Sequence, residues 1–150
     1  MNAGRGWGEG MIGRWPSLVY ALIQVESGGR RFAVGEGGEA FGILQIREDI
    51  IRDVNKAYGS DYRLSDAWDP GLSIEICRRY LDHWGSLDRL GREATPEDLA
   101  RIWNGGPNGW QDLQTAYYWE RVRLFFDCHQ HGRRSAGLSG QSPGGSNPAT

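Results

Sequence analysis

Leu18, Val19, Leu22, Ile23 and Val25 recur at helical spacing and run straight into Glu26, Ser27 and the pair Gly28–Gly29. Pro16 suits the first turn of such a helix and the glycines suit its end. Proline lacks an amide that a first turn would leave unpaired, and glycine accepts the backbone that stops a helix. An ionisable side chain is thereby held in the last turn of an apolar helix. The negative end of the helix dipole disfavours a carboxylate there, and removal from water acts in the same direction, so the pKa of Glu26 is expected to rise. A carboxyl group still protonated near neutrality can donate to a leaving oxygen. The same local pattern also suits a surface helix end whose charge lies in water, and the residues alone leave both readings open.

The stretch that follows, "AVGEGGEAFGI" from Ala33 to Ile43, is too rich in glycine for a helix and suits a small hairpin or irregular loop. Most of the remaining chain reads as helix. One helix is expected from Arg47 to Tyr58, with Ile50, Ile51 and Val54 on one face and Gly59 as its stop. Another follows Asp69 as N-cap with Pro70 at the first helical position and ends at Gly85. "TPED", Thr95 to Asp98, has the spacing of a capping box and opens a short helix through Trp103. A last helix is expected from Gln111 to His129, carrying Tyr118, Val122, Phe125 and Phe126. The fold class is therefore mainly α: a helical domain with one β-like excursion directly after Glu26. Its limits are placed at residues 14–131, after a flexible lead-in at 1–13 and before a tail at 132–150 rich in Gly, Ser and Pro and expected to be disordered.

A formal net charge of −2, with both signs mixed along the chain, leaves no basic stripe for a phosphate backbone, so nucleic acid is not the expected partner. No stretch approaches the length of a membrane span, and the N-terminus has no apolar run long enough for a signal peptide. Cys77 and Cys128 are the only cysteines, and either a disulfide or two buried thiols would fit. "CHQH", with Cys128, His129 and His131, matches no standard zinc spacing, so no metal is expected. Seven tryptophans and six tyrosines provide aromatic faces that serve a core or sugar rings equally well.

Four motifs carry a resemblance: "VESGG", "FAVGEGGEAFGILQI", "IWNGGPNG" and "QTAYYWERV". In order and approximate spacing they resemble the soluble type of lytic transglycosylase, which shares the lysozyme-like fold with goose-type lysozymes. The similarity spans about residues 18 to 126. It implies an α+β lysozyme-like domain with Glu26 as catalytic acid and Ser27 as its partner in the glutamate–serine pair. Gly42 and Gln45 match the stretch that lines the glycan cleft. Asn104 matches an asparagine that holds substrate beside the acid, and Tyr118, three residues after Thr115, matches a tyrosine whose hydroxyl lies near the catalytic glutamate. Each has a plainer reading: Gln45 as a partner for hairpin backbone groups, the "NGGPNG" glycines as an ordinary turn, Tyr118 and Trp103 as core.

The resemblance further implies cleavage of the β-1,4 bond between N-acetylmuramic acid and N-acetylglucosamine, in which Glu26 acts as acid and then as base. The muramoyl 6-hydroxyl attacks its own anomeric carbon and leaves a 1,6-anhydro end, with no cofactor required. Peptidoglycan strands are the implied partner of a monomeric enzyme that works outside the cytoplasm or is delivered by a phage or secretion apparatus. The sequence departs from the family at Glu39, where a small residue is usual, which adds a charge expected to meet the substrate. Animal-type lysozymes carry an aspartate two residues before the corresponding glycine, where this chain has Ala40. Without that second acid the transglycosylase route is expected, with hydrolysis as its chemical alternative and a non-catalytic glycan-binding or virion module as the alternative of another class.

Overall fold

The computed structural model describes residues 6–140. Helix α1 spans Glu9–Glu26, and the excursion after it is an antiparallel pair, β1 at Val34–Gly35 and β2 at Ala40–Phe41. Val34 faces Phe41 and Gly35 faces Ala40 across the pair, and a further bridge joins Phe41 to Ile46. Then come α2 at Glu48–Tyr58, α3 at Pro70–Trp84, the short α4 at Leu87–Leu90, α5 at Pro96–Gly105 and α6 at Ala116–Gly140. Single 3₁₀ turns occupy the connections, among them Leu64–Trp68 and Leu113–Thr115.

The expected caps form. Asp69 accepts from the Leu72 amide with Pro70 inside the first turn of α3, and Thr95 and Asp98 close a reciprocal capping box on α5. Asp98 is also gripped by Arg92 at 2.6 and 3.0 Å, which holds its carboxyl below the usual range despite burial. Helix α1 packs along α6 and against α5, while α3 joins α2 to α5. Leu18, Leu22, Leu44, Ile76, Leu81, Leu99, Ile102 and Val122 fill the space between them. The acid at the end of α1 is thus mounted on the central helix of the core.

Two helices, α1 and α6, have limits that differ from expectation. Helix α1 begins at Glu9, so residues 9–13 belong to it and Pro16 lies in its interior. The extra turns are held by burial of Trp7, Met11 and Trp15, with the Trp7 and Trp15 rings 5.4 Å apart and the Arg78 guanidinium over Trp7 at 4.3 Å. This packing outweighs the single hydrogen bond that Pro16 withholds. Helix α6 begins five residues later than expected and runs on to Gly140, so residues 132–140 are helical rather than part of a disordered tail. Once packing on α1 has paid for nucleation, each further residue adds a hydrogen bond with little opposition. Residues 1–5 of the expected lead-in and 141–150 of the expected tail lie outside the described residues. Both cysteines are free thiols, Cys77 buried and Cys128 exposed, so neither the disulfide nor the pair of buried thiols is present.

Candidate active site

Glu26 is the last residue of α1 and is half-buried. The Tyr118 hydroxyl, from the first turn of α6, donates to its Oε2 at 2.5 Å. Burial pushes the Glu26 carboxyl above its ordinary pKa, opposed by the Tyr118 hydrogen bond and by the positive charge of Arg121 one turn further along α6. Burial and the neighbouring Glu26 also push the Tyr118 phenol well up, so it keeps the proton that it donates. Cys77 on α3 is close enough that the Glu26 charge adds to the effect of burial in keeping its thiol protonated. The acid therefore sits on a floor of neutral groups and retains its hydrogen more readily than a carboxyl in water.

Ser27 fixes the direction in which the chain leaves the helix. Its hydroxyl donates to the Ile43 carbonyl at 2.8 Å and accepts from the Gly29 amide at 3.1 Å. It is buried and ties α1 to the strand exit, which positions Glu26 relative to the hairpin. Gly42 is likewise backbone architecture. Its φ is 81°, and a Cβ there would lie 2.0 Å from the Ala67 carbonyl oxygen, so only glycine lets the hairpin close on the Leu64–Trp68 turn.

A cleft of about 270 Å³ opens beside Glu26. Glu36, Gln45 and Arg47 line it on the hairpin side, Asp49 and Ile50 from α2, Tyr80 from α3, and Trp103, Asn104, Gly105 and Gly106 on the opposite wall. Gln45 has a left-handed φ of 54°, and its amide donates to the Ala33 and Gly42 carbonyls at 3.2 and 3.0 Å. It braces the hairpin and faces the cleft at once. Asn104 is exposed on the last turn of α5, and Gly106 caps that helix. Trp103 is core and cleft wall together, meeting Tyr80 edge-on at 5.6 Å.

Glu39 points away. It is exposed, lies 3.9 Å from Arg47, and lines a neighbouring hollow with Phe41 and Leu64 rather than the Glu26 cleft. The acid that does face the cleft is Glu36, at the tip of the hairpin, where φ is 48° and the following Gly37 and Gly38 are left-handed too. Arg47 contacts the Glu36 carboxylate and lies 3.8 Å from Asp49. Glu36 lies within the glycine-rich stretch 33–43, and a tight turn, not strand alternation, sets its direction. Arg47 and Asp49 follow directly on the hairpin but match no motif, and Tyr80 and Arg121 reach the site only through packing of distant elements. His129, one of the residues weighed for zinc, is engaged with Ser17 at 2.8 Å and stacks on Tyr20. Among the described residues no group of three or more His, Cys, Asp or Glu is placed to hold a metal ion.

Residues 8–93, which carry Glu26, the hairpin and α2, match the family described as "Transglycosylase SLT domain". The chain belongs to the transglycosylase SLT family. Across a longer span the chain is similar to lysozymes. It is 26% identical over 131 residues to an invertebrate-type lysozyme of Ruditapes philippinarum, covering 85% of this chain and 92% of that protein. It is 30% identical over 118 residues to a lysozyme of Magallana gigas, covering 77% and 79%. Among solved structures, Tapes japonica lysozyme superposes with a TM-score of 0.59 at 26% identity over 71% of this chain and 85% of that one. A chain from the complex of Aeromonas hydrophila PliI with Meretrix lusoria lysozyme superposes with a TM-score of 0.63 at 25% identity over 85% and 98%. The SLT domain is thus a lysozyme-like glycosidase in fold and family, with its acid at the edge of the cleft.

Proposed function

We propose that this SLT domain hydrolyses the β-1,4 bond between N-acetylmuramic acid and N-acetylglucosamine in peptidoglycan. The carrying observation is that Glu26, half-buried and bonded to Tyr118, shares one cleft with Glu36. Glu26 delivers its proton to the bridging oxygen as the bond breaks. The carboxylate so formed accepts the Tyr118 hydrogen bond in charge-assisted form, which stabilises it. Glu36, paired with Arg47, supplies negative charge to the developing oxocarbenium ion, as the second carboxylate of a glycosidase does. A water molecule then attacks the anomeric carbon and gives one proton to the Glu26 carboxylate, which restores the acid. The likeness to lysozymes over most of the chain supports the same reading.

Transglycosylation is the second reading, favoured by the family match itself. There the muramoyl 6-hydroxyl takes the place of water, its high effective concentration serving in place of an activated nucleophile, and Glu36 only shapes the cleft. Substrate of this kind lies outside the cytoplasmic membrane, so the site of action is the cell wall, reached by export or carried there by a phage or secretion apparatus.

Purified sacculi, digested and analysed by mass spectrometry, test both. Hydrolysis leaves reducing ends; transglycosylation leaves 1,6-anhydro ends one water lighter. We expect reducing ends, and a loss of about 10²-fold or more in rate for Glu36→Gln. Anhydro ends with an active Glu36→Gln variant would decide for the second reading. Undigested sacculi with wild-type protein would defeat both.

A further inference from the structure

The wall of the cleft opposite the hairpin is the turn Asn104–Gly106, and its sequence gives it little stiffness of its own. Gly105 and Gly106 follow one another, and Gly106 has φ 86° and ψ −171°, a conformation only glycine holds without strain. The next stretch is anchored from one side by Arg101, whose Nε donates to Thr115 Oγ1 at 2.9 Å and whose Nη2 donates to the Asp112 carbonyl at 2.8 Å. Thr115 in turn donates to the Gly109 carbonyl at 2.6 Å. Those bonds hold residues 109–115 and add nothing across 105–108 to the backbone bonds from the Gly106 amide to the Ile102 carbonyl and from the Gly109 amide to the Gly106 carbonyl, each 2.8 Å.

The brace for that segment comes from α4. Arg89 Nη1 donates to the Pro107 carbonyl at 2.5 Å and to the Trp84 carbonyl at 3.0 Å, and its Nη2 donates to Asn108 Oδ1 at 2.7 Å. The guanidinium lies over the Trp84 ring, 5.0 Å from its centroid. One planar cation therefore ties the C-terminal end of α3 to the turn that carries the cleft wall. Helix α4 exists to aim it: Ser86 caps the helix by accepting from the Arg89 amide, and Gly91 ends it after a single turn. Lysine carries its three donors on one nitrogen, whereas two nitrogens of the planar guanidinium meet these acceptors, so lysine does not reproduce the fork.

We propose that Arg89 is a positioning residue that fixes the Asn104–Gly106 wall and so sets how firmly the cleft grips a sugar chain. The substrate named here rests on the glycan-cleaving reading above. The brace itself does not. Arg89 reaches neither Glu26 nor Glu36, so its removal alters substrate binding and leaves proton delivery in place.

The test reads Arg89→Ala and Arg89→Lys in two ways. Hydrogen exchange without substrate should show the amides of Gly106, Gly109 and Gln111 exchanging about tenfold faster in Arg89→Ala, as expected for losing charged hydrogen bonds, with Arg89→Lys between that variant and wild type. On soluble glycan fragments, KM should rise about tenfold while kcat stays within about threefold, the split expected for lost uniform binding. Unchanged exchange in this turn, or a fall in kcat with KM unmoved, would overturn the proposal. Faster exchange throughout the chain, with KM and kcat impaired together, would also overturn it, by showing general loosening. A wild-type protein that cleaves no glycan but shows the local exchange effect would defeat the proposed function and leave the brace standing.

Discussion

Tyr118 donates a 2.5 Å hydrogen bond to Glu26 across 92 positions of sequence, joining the first turn of α6 to the last residue of α1. The bond favours the ionised form of the acid, while burial favours the protonated form and dominates. The same pair thus keeps the proton in place before reaction and receives the charge after it is delivered.

Tyr118→Phe removes the bond and keeps the ring. Without a donor the Glu26 carboxyl moves further up, and because Glu26 must be protonated to act, the alkaline limb of the kcat/KM profile shifts to higher pH. The maximal rate falls by about tenfold or more, since a charge-assisted hydrogen bond worth about 1.5–3 kcal/mol is lost as the carboxylate forms. A rate profile across pH on sacculi checks both; an unmoved alkaline limb would show that the bond does not govern Glu26.

Glu26→Gln should separate activity from stability. Rate falls by about 10²–10⁴-fold. Folding goes the other way. With a folded pKa above the usual 4.5, Glu26 contributes stability that is fully present below 4.5 and lost as pH rises through the folded value. Glutamine has no charge to bury, so the variant is expected to melt higher than wild type at neutral pH, with the advantage disappearing in acid. Thermal melts over a pH series measure this.

Ser27→Ala cuts the buried tie from α1 to Ile43 and leaves that carbonyl without its 2.8 Å donor. The expected cost is about 2 kcal/mol in denaturant unfolding. Activity per folded molecule falls as well, because the hairpin that carries Glu36 loses its fixed distance from Glu26. A variant as stable as wild type would remove Ser27 from this role.

Gly42→Ala combines a left-handed backbone with a Cβ driven into the Ala67 carbonyl. Destabilisation by about 3 kcal/mol or more is expected, from strain and clash together. Chemical denaturation reads the loss directly, and a neutral outcome would mean that the Leu64–Trp68 turn can retreat.

The acid at the end of α1, the hairpin after it and the caps at Asp69 and Thr95 were legible in the chain because each depends on residues within a few positions of one another. A glycine stop, a proline start or a Thr-x-x-Asp box acts through local backbone geometry, and the spacing of Leu18, Leu22 and Val25 needs no distant partner to be read as one helical face. Tyr118, Asn104 and Gln45 were found by resemblance, and the structure brings all of them to Glu26. What packing decided lay beyond that reach. The start of α1 at Glu9 depends on Trp7 and Met11 finding Trp15 and Arg78; the length of α6 depends on its seat against α1; the direction of Glu36 depends on a left-handed turn that no alternation rule describes. Local signals in the chain marked the carboxyl at the end of the first helix, the stops at Gly59 and Gly85 and the caps at Asp69 and Thr95. Only the tertiary structure decided which other groups face that carboxyl, because burial and opposing charge are properties of neighbours brought together from opposite ends of the chain.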